Sequence, residues 1–216
     1  MNKFEKVKNY IDNELIKGKH IPYLGVTAYK DDKCLFSYVS SNGYEYYSCG
    51  KVAMFSMSKP MTVVGFMMLI EQGRATLDDK LVKYLPNFNR AFILSKNGQK
   101  EYVGDKITLR HLLTMSAGFN YDRLTPSILK NKDKELSLEE SLEALLDKPL
   151  DFYPGDRFQY SLCHDILAVV IEKISGMKFS TYMEENIFEK AGMTDANLLF
   201  QETSTRGYYK NRYYRY

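Results

Sequence analysis

The sequence predicts an α+β fold in which antiparallel strands come first and a mainly helical lobe follows. Three observations predict it. Strand signals cluster before residue 50, punctuated helix signals dominate after residue 60, and 216 residues with 44% hydrophobic content can bury one substantial core or two small lobes.

In chain order, residues 3–17 place Phe4, Val7, Tyr10, Ile11 and Ile16 at close to helical period, which predicts an amphipathic N-terminal helix. Residues 22–29 and 34–39 are β-branched and aromatic runs on either side of Lys30-Asp31-Asp32-Lys33, the pattern of an antiparallel hairpin. Ser41-Asn42-Gly43 makes a turn, and residues 44–49 form a short third run. Residues 61–72 are apolar nearly all round and stop at Gly73, so they form a buried helix with Pro60 in its first turn. Further helices are expected over residues 77–85, 108–115 and 137–146, the last opened by a Ser137/Glu140 capping box. Two more, residues 162–175 and 179–191, are closed by Gly176 and Gly192.

Composition removes several function classes. No run of about 18 apolar residues is present and the N-terminal segment is charged, so neither a membrane span nor a secretory signal is expected, and the expected location is the cytoplasm. Cys34, Cys49 and Cys163 have neither paired nor C-x-x-C spacing, which fits buried thiols in a reducing compartment. His20, His111 and His164 share no ligand spacing, so no metal is expected. The net charge is +3, but the tail 205–216 carries Arg206, Lys210, Arg212 and Arg215 and no acid, leaving the rest of the chain at −1. The basic character belongs to a Tyr/Arg tail, and no nucleic-acid partner is expected. One domain is expected over residues 1–204, with strands up to 55 and the helical lobe from 56.

The chemistry-bearing segment is Phe55-Ser56-Met57-Ser58-Lys59-Pro60. Three residues of helix turn the chain through about 300°, which puts Ser56 and Lys59 on one face, where an amine could take a hydroxyl proton. Pro60 pins both to the helix entrance, although a residue before proline is biased away from the α region, which predicts slightly irregular geometry at Lys59. The string alone does not select Ser56, because serine-x-x-lysine recurs at Ser48/Lys51, Ser127/Lys130 and Ser175/Lys178. Further on, Pro154-Gly155 makes a turn, an extended run leads to Tyr160, and Ser161 is suited to cap the next helix. A phenol at a helix entrance is biased toward phenolate by the macrodipole, though an aromatic residue there also serves as a packing staple.

These pieces resemble the serine hydrolase family that joins class C β-lactamases, D-alanyl-D-alanine carboxypeptidases and related esterases. Phe55-Ser56-Met57-Ser58-Lys59 looks like its nucleophile motif. Ile70-Glu71-Gln72-Gly73-Arg74, Leu77-Asp78-Asp79-Lys80, Tyr84-Leu85-Pro86, Ile107 to Gly118, Pro154-Gly155 and Gly192-Met193 resemble further stretches in the family's order. The resemblance implies a β-lactamase/penicillin-binding-protein-like fold. It also implies Ser56 as the acyl-accepting nucleophile, with its backbone N–H as one oxyanion donor. Lys59 and Tyr160 share proton transfer, in an order left open, and the substrate is a small acyl compound with no cofactor.

Two departures set expectations. Leu162 stands where the family's Tyr-x-Asn motif carries an amide, which favours a small ester or other acyl compound over β-lactam or D-alanyl substrates. No Lys-Thr-Gly or His-x-Gly stretch follows Tyr160, so the C-terminal sheet strands and the second oxyanion donor are expected to be missing. Loss of such a donor costs about 2.7–4 kcal/mol in the transition state. A truncated hydrolase of weak activity is expected, with an unpaired sheet edge open to self-association, or alternatively a non-catalytic binding remnant of the same fold.

Overall fold

The computed structural model describes residues 3–42, 54–120, 138–196 and 198. The third run at 44–49, the Ser137 cap, and the rival serines Ser48 and Ser127 lie outside them, as does the Tyr/Arg tail. The chain forms two compact units, one holding the N-terminal helix and hairpin and the other spanning Ala53–Glu202.

In the first unit, α1 (Glu5–Tyr10) runs directly into a π-helical turn (Ile11–Ile16). Strands β1 (Tyr23–Lys30) and β2 (Lys33–Ser41) pair antiparallel. Asp31 and Asp32 both adopt positive φ, 48° and 59°, which is what a two-residue hairpin loop of matching twist requires. One face of the hairpin packs inward through Phe36, stacked on Phe4 at 4.7 Å, while Tyr29, Leu35 and Val39 stay exposed. Asp12 ties helix to sheet, accepting hydrogen bonds from Ser40 Oγ at 2.6 Å and Tyr38 Oη at 2.7 Å. Those two donors, Ser40 foremost, hold its carboxyl below the ordinary range.

The second unit is built around two apolar helices of equal length that pack together, α2 (Lys59–Glu71) and α5 (Cys163–Ser175), with α3 (Leu109–Leu113), α4 (Leu138–Glu143) and α6 (Phe179–Met183) around them. Phe66, Leu69, Ile166, Leu167, Val170 and Ile171 are fully buried between these helices. Gly65 lets α6 approach: a Cβ there would sit 3.0 Å from Met183 Sδ, and Tyr182 Oη donates to the Gly65 carbonyl at 2.9 Å. A small hairpin, β3 (Phe92–Leu94) with β4 (Lys100–Tyr102), was not evident from sequence, because three-residue strands carry almost no periodic signal. Among the described residues, no helix is long and apolar enough to cross a membrane.

Three expected elements differ. Residues 77–85 are not a helix: Arg110 N–H donates to the Leu77 carbonyl, Leu109 N–H to Asp79, and Leu81 N–H to Ile107. Backbone groups that a helix would use internally are taken by residues 107–110, and only a 3₁₀ turn at Leu81–Lys83 remains. Asp79 reinforces this loop by accepting from Tyr84 Oη, Lys83 and the Thr76 N–H, and the Tyr84 bond foremost depresses its carboxyl to about 2. The helix expected over 179–191 is α6 continued by a π turn, Glu184–Phe188, with Gly192 at φ 67° near its end. The expected Ser161 cap is absent; α5 starts at Cys163 with Leu162 at its N-cap and no side-chain cap bond.

Gly118 is conformationally required. It has φ 89°, and a Cβ would fall 2.5 Å from the Phe152 carbonyl oxygen and 3.1 Å from Leu150 Cβ. Gly118→Ala is therefore expected to cost about 2–4 kcal/mol, read as a lower urea midpoint, because strained φ and a backbone collision act together.

Candidate active site

Ser56 sits in a 3₁₀ turn, Phe55–Ser58, that leads into α2. The turn is held by Met57 N–H to the Met54 carbonyl at 3.0 Å and by Ser58 Oγ–H to the Phe55 carbonyl at 2.7 Å. Phe55 takes φ 45°, a left-handed conformation that a bulky residue rarely adopts and that recurs at functional turns. Lys59 begins the α-helix with φ −60° and ψ −44°, so the irregularity expected before Pro60 does not occur. Pro60 at the second helical position forfeits an N–H that would have had no intrahelical acceptor.

Tyr160 arrives from the far side of the same unit on an extended segment pinned to the loop after α3. Asp151 N–H donates to Gly118 at 2.9 Å, Gly155 N–H to Ser116 at 2.8 Å, and Gln159 N–H to Met115 at 2.9 Å. The Asp151 carboxylate, bonded by the Asn120 and Gln159 side-chain amides, braces the segment from within.

The two segments meet. Ser56 Oγ and Tyr160 Oη share a short hydrogen bond, and Lys59 Nζ lies 5.2 Å from the centre of the Tyr160 ring. The structure thus brings together Ser56, Lys59 and Tyr160. Tyr160 is 43% exposed, and its phenol is held below the ordinary range by the Ser56 hydroxyl foremost, which outweighs the opposing effect of burial, with Lys59 lowering it further. The rival Ser175 is occupied locally, its Oγ accepting from the Met177 N–H at 3.1 Å.

Behind this trio stands a layer that sequence reasoning missed. Ser161 is fully buried and its Oγ–H donates to Cys163 Sγ at 3.0 Å, while burial pushes the Cys163 thiol up to about 11. His164 and Asp165 follow in the first turn of α5, polar residues in a helix otherwise apolar to Ile171. That polar interruption of an apolar run is the signal in the sequence that marks them. Chemically, the arrangement brings together a hydroxyl, a phenol eased toward its ionised form and a lysine amine.

The beta-lactamase family model matches residues 19–214. Esterase EstB of Burkholderia gladioli is 29% identical over 158 residues, 68% of this chain and 38% of EstB. Protein flp of Staphylococcus aureus strain N315 is 24% identical over 212 residues, 94% of this chain and 39% of flp. Among solved structures, the hydrolase EstCE1, described as having promiscuous acyltransferase activity, superposes with TM-score 0.69 at 25% identity, covering 87% of this chain and 51% of its own. The octameric penicillin-binding protein homologue of Pyrococcus abyssi shares the fold, with TM-score 0.67 at 23% identity, 88% of this chain and 43% of its own. The chain spans about two fifths of these curated relatives and about half of EstCE1. With the helical lobe, the small antiparallel sheets and a match over residues 19–214, the chain belongs to the beta-lactamase family, within the serine hydrolase superfamily.

Proposed function

We propose that the chain is the nucleophile-bearing part of a serine hydrolase acting on a small ester or amide through Ser56, Lys59 and Tyr160. The hydrogen bond between Ser56 Oγ and Tyr160 Oη carries this reading, because a hydroxyl becomes a competent nucleophile only when a base sits within hydrogen-bond reach. Ser56 Oγ attacks the acyl carbon as its proton passes to the Tyr160–Lys59 pair. The bond to the leaving group then breaks as that proton is delivered to it, leaving an ester on Ser56, and water reverses the sequence to release the acid. The Ser56 N–H, in the first turn of a helical segment, serves as an oxyanion donor. Leu162 in place of an amide favours a simple ester over a β-lactam.

The test is covalent capture. A fluorophosphonate probe is expected to add to the intact chain, and mass spectrometry should place the adduct on Ser56. A well-folded chain that no probe labels would instead support a non-catalytic, ligand- or partner-binding role for the same fold.

Tyr160→Phe is expected to slow labelling by about 10²- to 10⁴-fold with little change in stability, since the Tyr160 side chain is exposed and only its hydroxyl is removed. Because its phenol is held below the ordinary value, the labelling rate of the native protein should rise with pH through a midpoint under 10. That rise should be missing in Tyr160→Phe.

A further inference from the structure

His111 lies in the first turn of α3, at the capping-box position that ordinarily carries glutamate or glutamine. The imidazole supplies the acceptor instead: His111 Nδ1 accepts from the Thr108 N–H at 3.2 Å, while Thr108 Oγ1 accepts from the His111 N–H at 3.4 Å. An accepting Nδ1 must be bare, so this cap exists only with the neutral ring, its proton on Nε2. Glutamine would cap at any pH, whereas histidine caps only above its own pKa.

The same residue closes a circuit that leads to Tyr160. Ser116 N–H donates to the His111 carbonyl at 2.8 Å, and Gly155 N–H donates to the Ser116 carbonyl at 2.8 Å. The Gly155 turn then comes back to the ring, so close that a Cβ on Gly155 would lie 3.1 Å from His111 Nε2. Further along, Gln159 N–H donates to the Met115 carbonyl at 2.9 Å, and Tyr160 follows directly. Backbone and ring of His111 thus both bear on the segment that delivers Tyr160.

The groups around the ring set the sense of its titration. Burial foremost, and then the neighbouring Arg110 guanidinium, depress the His111 imidazole, while Asp78 and the Lys106 backbone pull the other way. Asp78 is bonded to Arg110 at 3.0 and 3.1 Å, and Asp79 of the facing loop accepts from Tyr84 and Lys83. Asp105 and Lys106, in the 3₁₀ turn before α3, pair with each other at 3.0 Å, with Lys80 acting on Asp105. Asp156, beside Gly155, is exposed. His164 of α5 meets the far end of α3, its Nε2–H donating to the Leu113 carbonyl at 3.2 Å.

We propose that His111 is a pH-sensitive positioning residue for Tyr160: its neutral imidazole locks the cap of α3 and the Gly155 turn together, and proton uptake in mild acid releases both. The imidazolium has no lone pair at Nδ1, so the Thr108 N–H loses its acceptor and faces a second N–H. Tyr160 then loses one side of its support and shifts against Ser56. The consequence for catalysis rests on Ser56 being the nucleophile; the movement of Tyr160 does not. His111 touches no reacting atom.

Proton NMR of the intact chain tests this between about pH 8 and about pH 5, reading the Cε1–H signals of the three histidines and the ring signals of Tyr160. His111 is identified by its loss in His111→Gln, which keeps an acceptor for Thr108 but takes up no proton, and Tyr160 by its loss in Tyr160→Phe. The His111 midpoint is expected below the ordinary 6.5, with the Tyr160 signals shifting at that midpoint in the native protein and holding still in His111→Gln. Because the folded value lies below the unfolded one, the stability that His111 contributes is complete above about 6.5 and is lost as pH falls through the folded value. In that window the folded-to-unfolded ratio in urea should drop by up to about tenfold per pH unit more in the native protein than in His111→Gln. Tyr160 signals that ignore the His111 midpoint, or that respond equally in His111→Gln, overturn the proposal, as does a His111 midpoint at or above 6.5. Should His111→Gln not fold, the same titration in His164→Gln decides, since His111 is then the one histidine of the second unit left to titrate. A chain that a fluorophosphonate leaves unlabelled sinks the Ser56 reading without touching these signals, so the two fail separately.

Discussion

Ser56→Ala is expected to abolish covalent capture by a fluorophosphonate while leaving the fold unchanged. Ser56 is exposed, so losing its hydroxyl should alter stability by no more than about 0.5 kcal/mol. The chemical loss is total because the adduct forms on the deleted oxygen. The variant also carries a second, quieter readout. The hydrogen bond from Ser56 is the foremost reason that the Tyr160 phenol ionises early, so its removal should move that ionisation back toward the ordinary phenol value. Ultraviolet difference titration at the phenolate band would follow it, with Tyr160→Phe identifying the signal. A probe that still labels Ser56→Ala with equal efficiency would show that another residue is the nucleophile.

The largest structural effect is expected from Phe66→Ala. Phe66 is fully buried in α2, in the cluster it forms with Leu69, Ile166, Leu167 and Met183. Truncating such a ring removes its transfer free energy and leaves a cavity that the two long helices cannot close without moving. A loss of about 3–5 kcal/mol is expected. Since small domains are stable by about 5–15 kcal/mol, this change should bring the second unit close to unfolding at moderate temperature. The chain has no tryptophan, so far-ultraviolet circular dichroism in urea is the suitable monitor. Val64→Ala, two residues away but 52% exposed, is the control and should shift the midpoint little.

How far the chain could be read without coordinates depends on where its interactions are local. The hairpin was legible because Asp31 and Asp32 supply the loop conformation within four residues. Helices α2 and α5 were legible because apolar runs ended at Gly73 and Gly176, which take φ 69° and 76°. The expectation failed at residues 77–85, where apolar spacing suggested a helix but partners thirty residues downstream claim the backbone. It failed again at Ser161, whose hydroxyl turns to a buried thiol instead of the helix end. In both cases a competitor distant in sequence, or a side chain hidden by packing, outweighed the local preference.

The sequence by itself determined the turn that leads into α2: Pro60 fixes where α2 can begin, and the three-residue spacing then places Ser56 and Lys59 at its entrance. It also determined the family, because ordered similarity across many short segments is a property of the string. Only the tertiary structure decided that Tyr160 meets Ser56, and that His164 Nδ1 and Asp165 Oδ2 are buried without hydrogen-bond partners. Those relations depend on how α5 packs against α2 and on the ladder of hydrogen bonds that carries residues 151–159 past the loop after α3. No local pattern encodes them, since each partner is satisfied or left wanting only by residues far away in the chain.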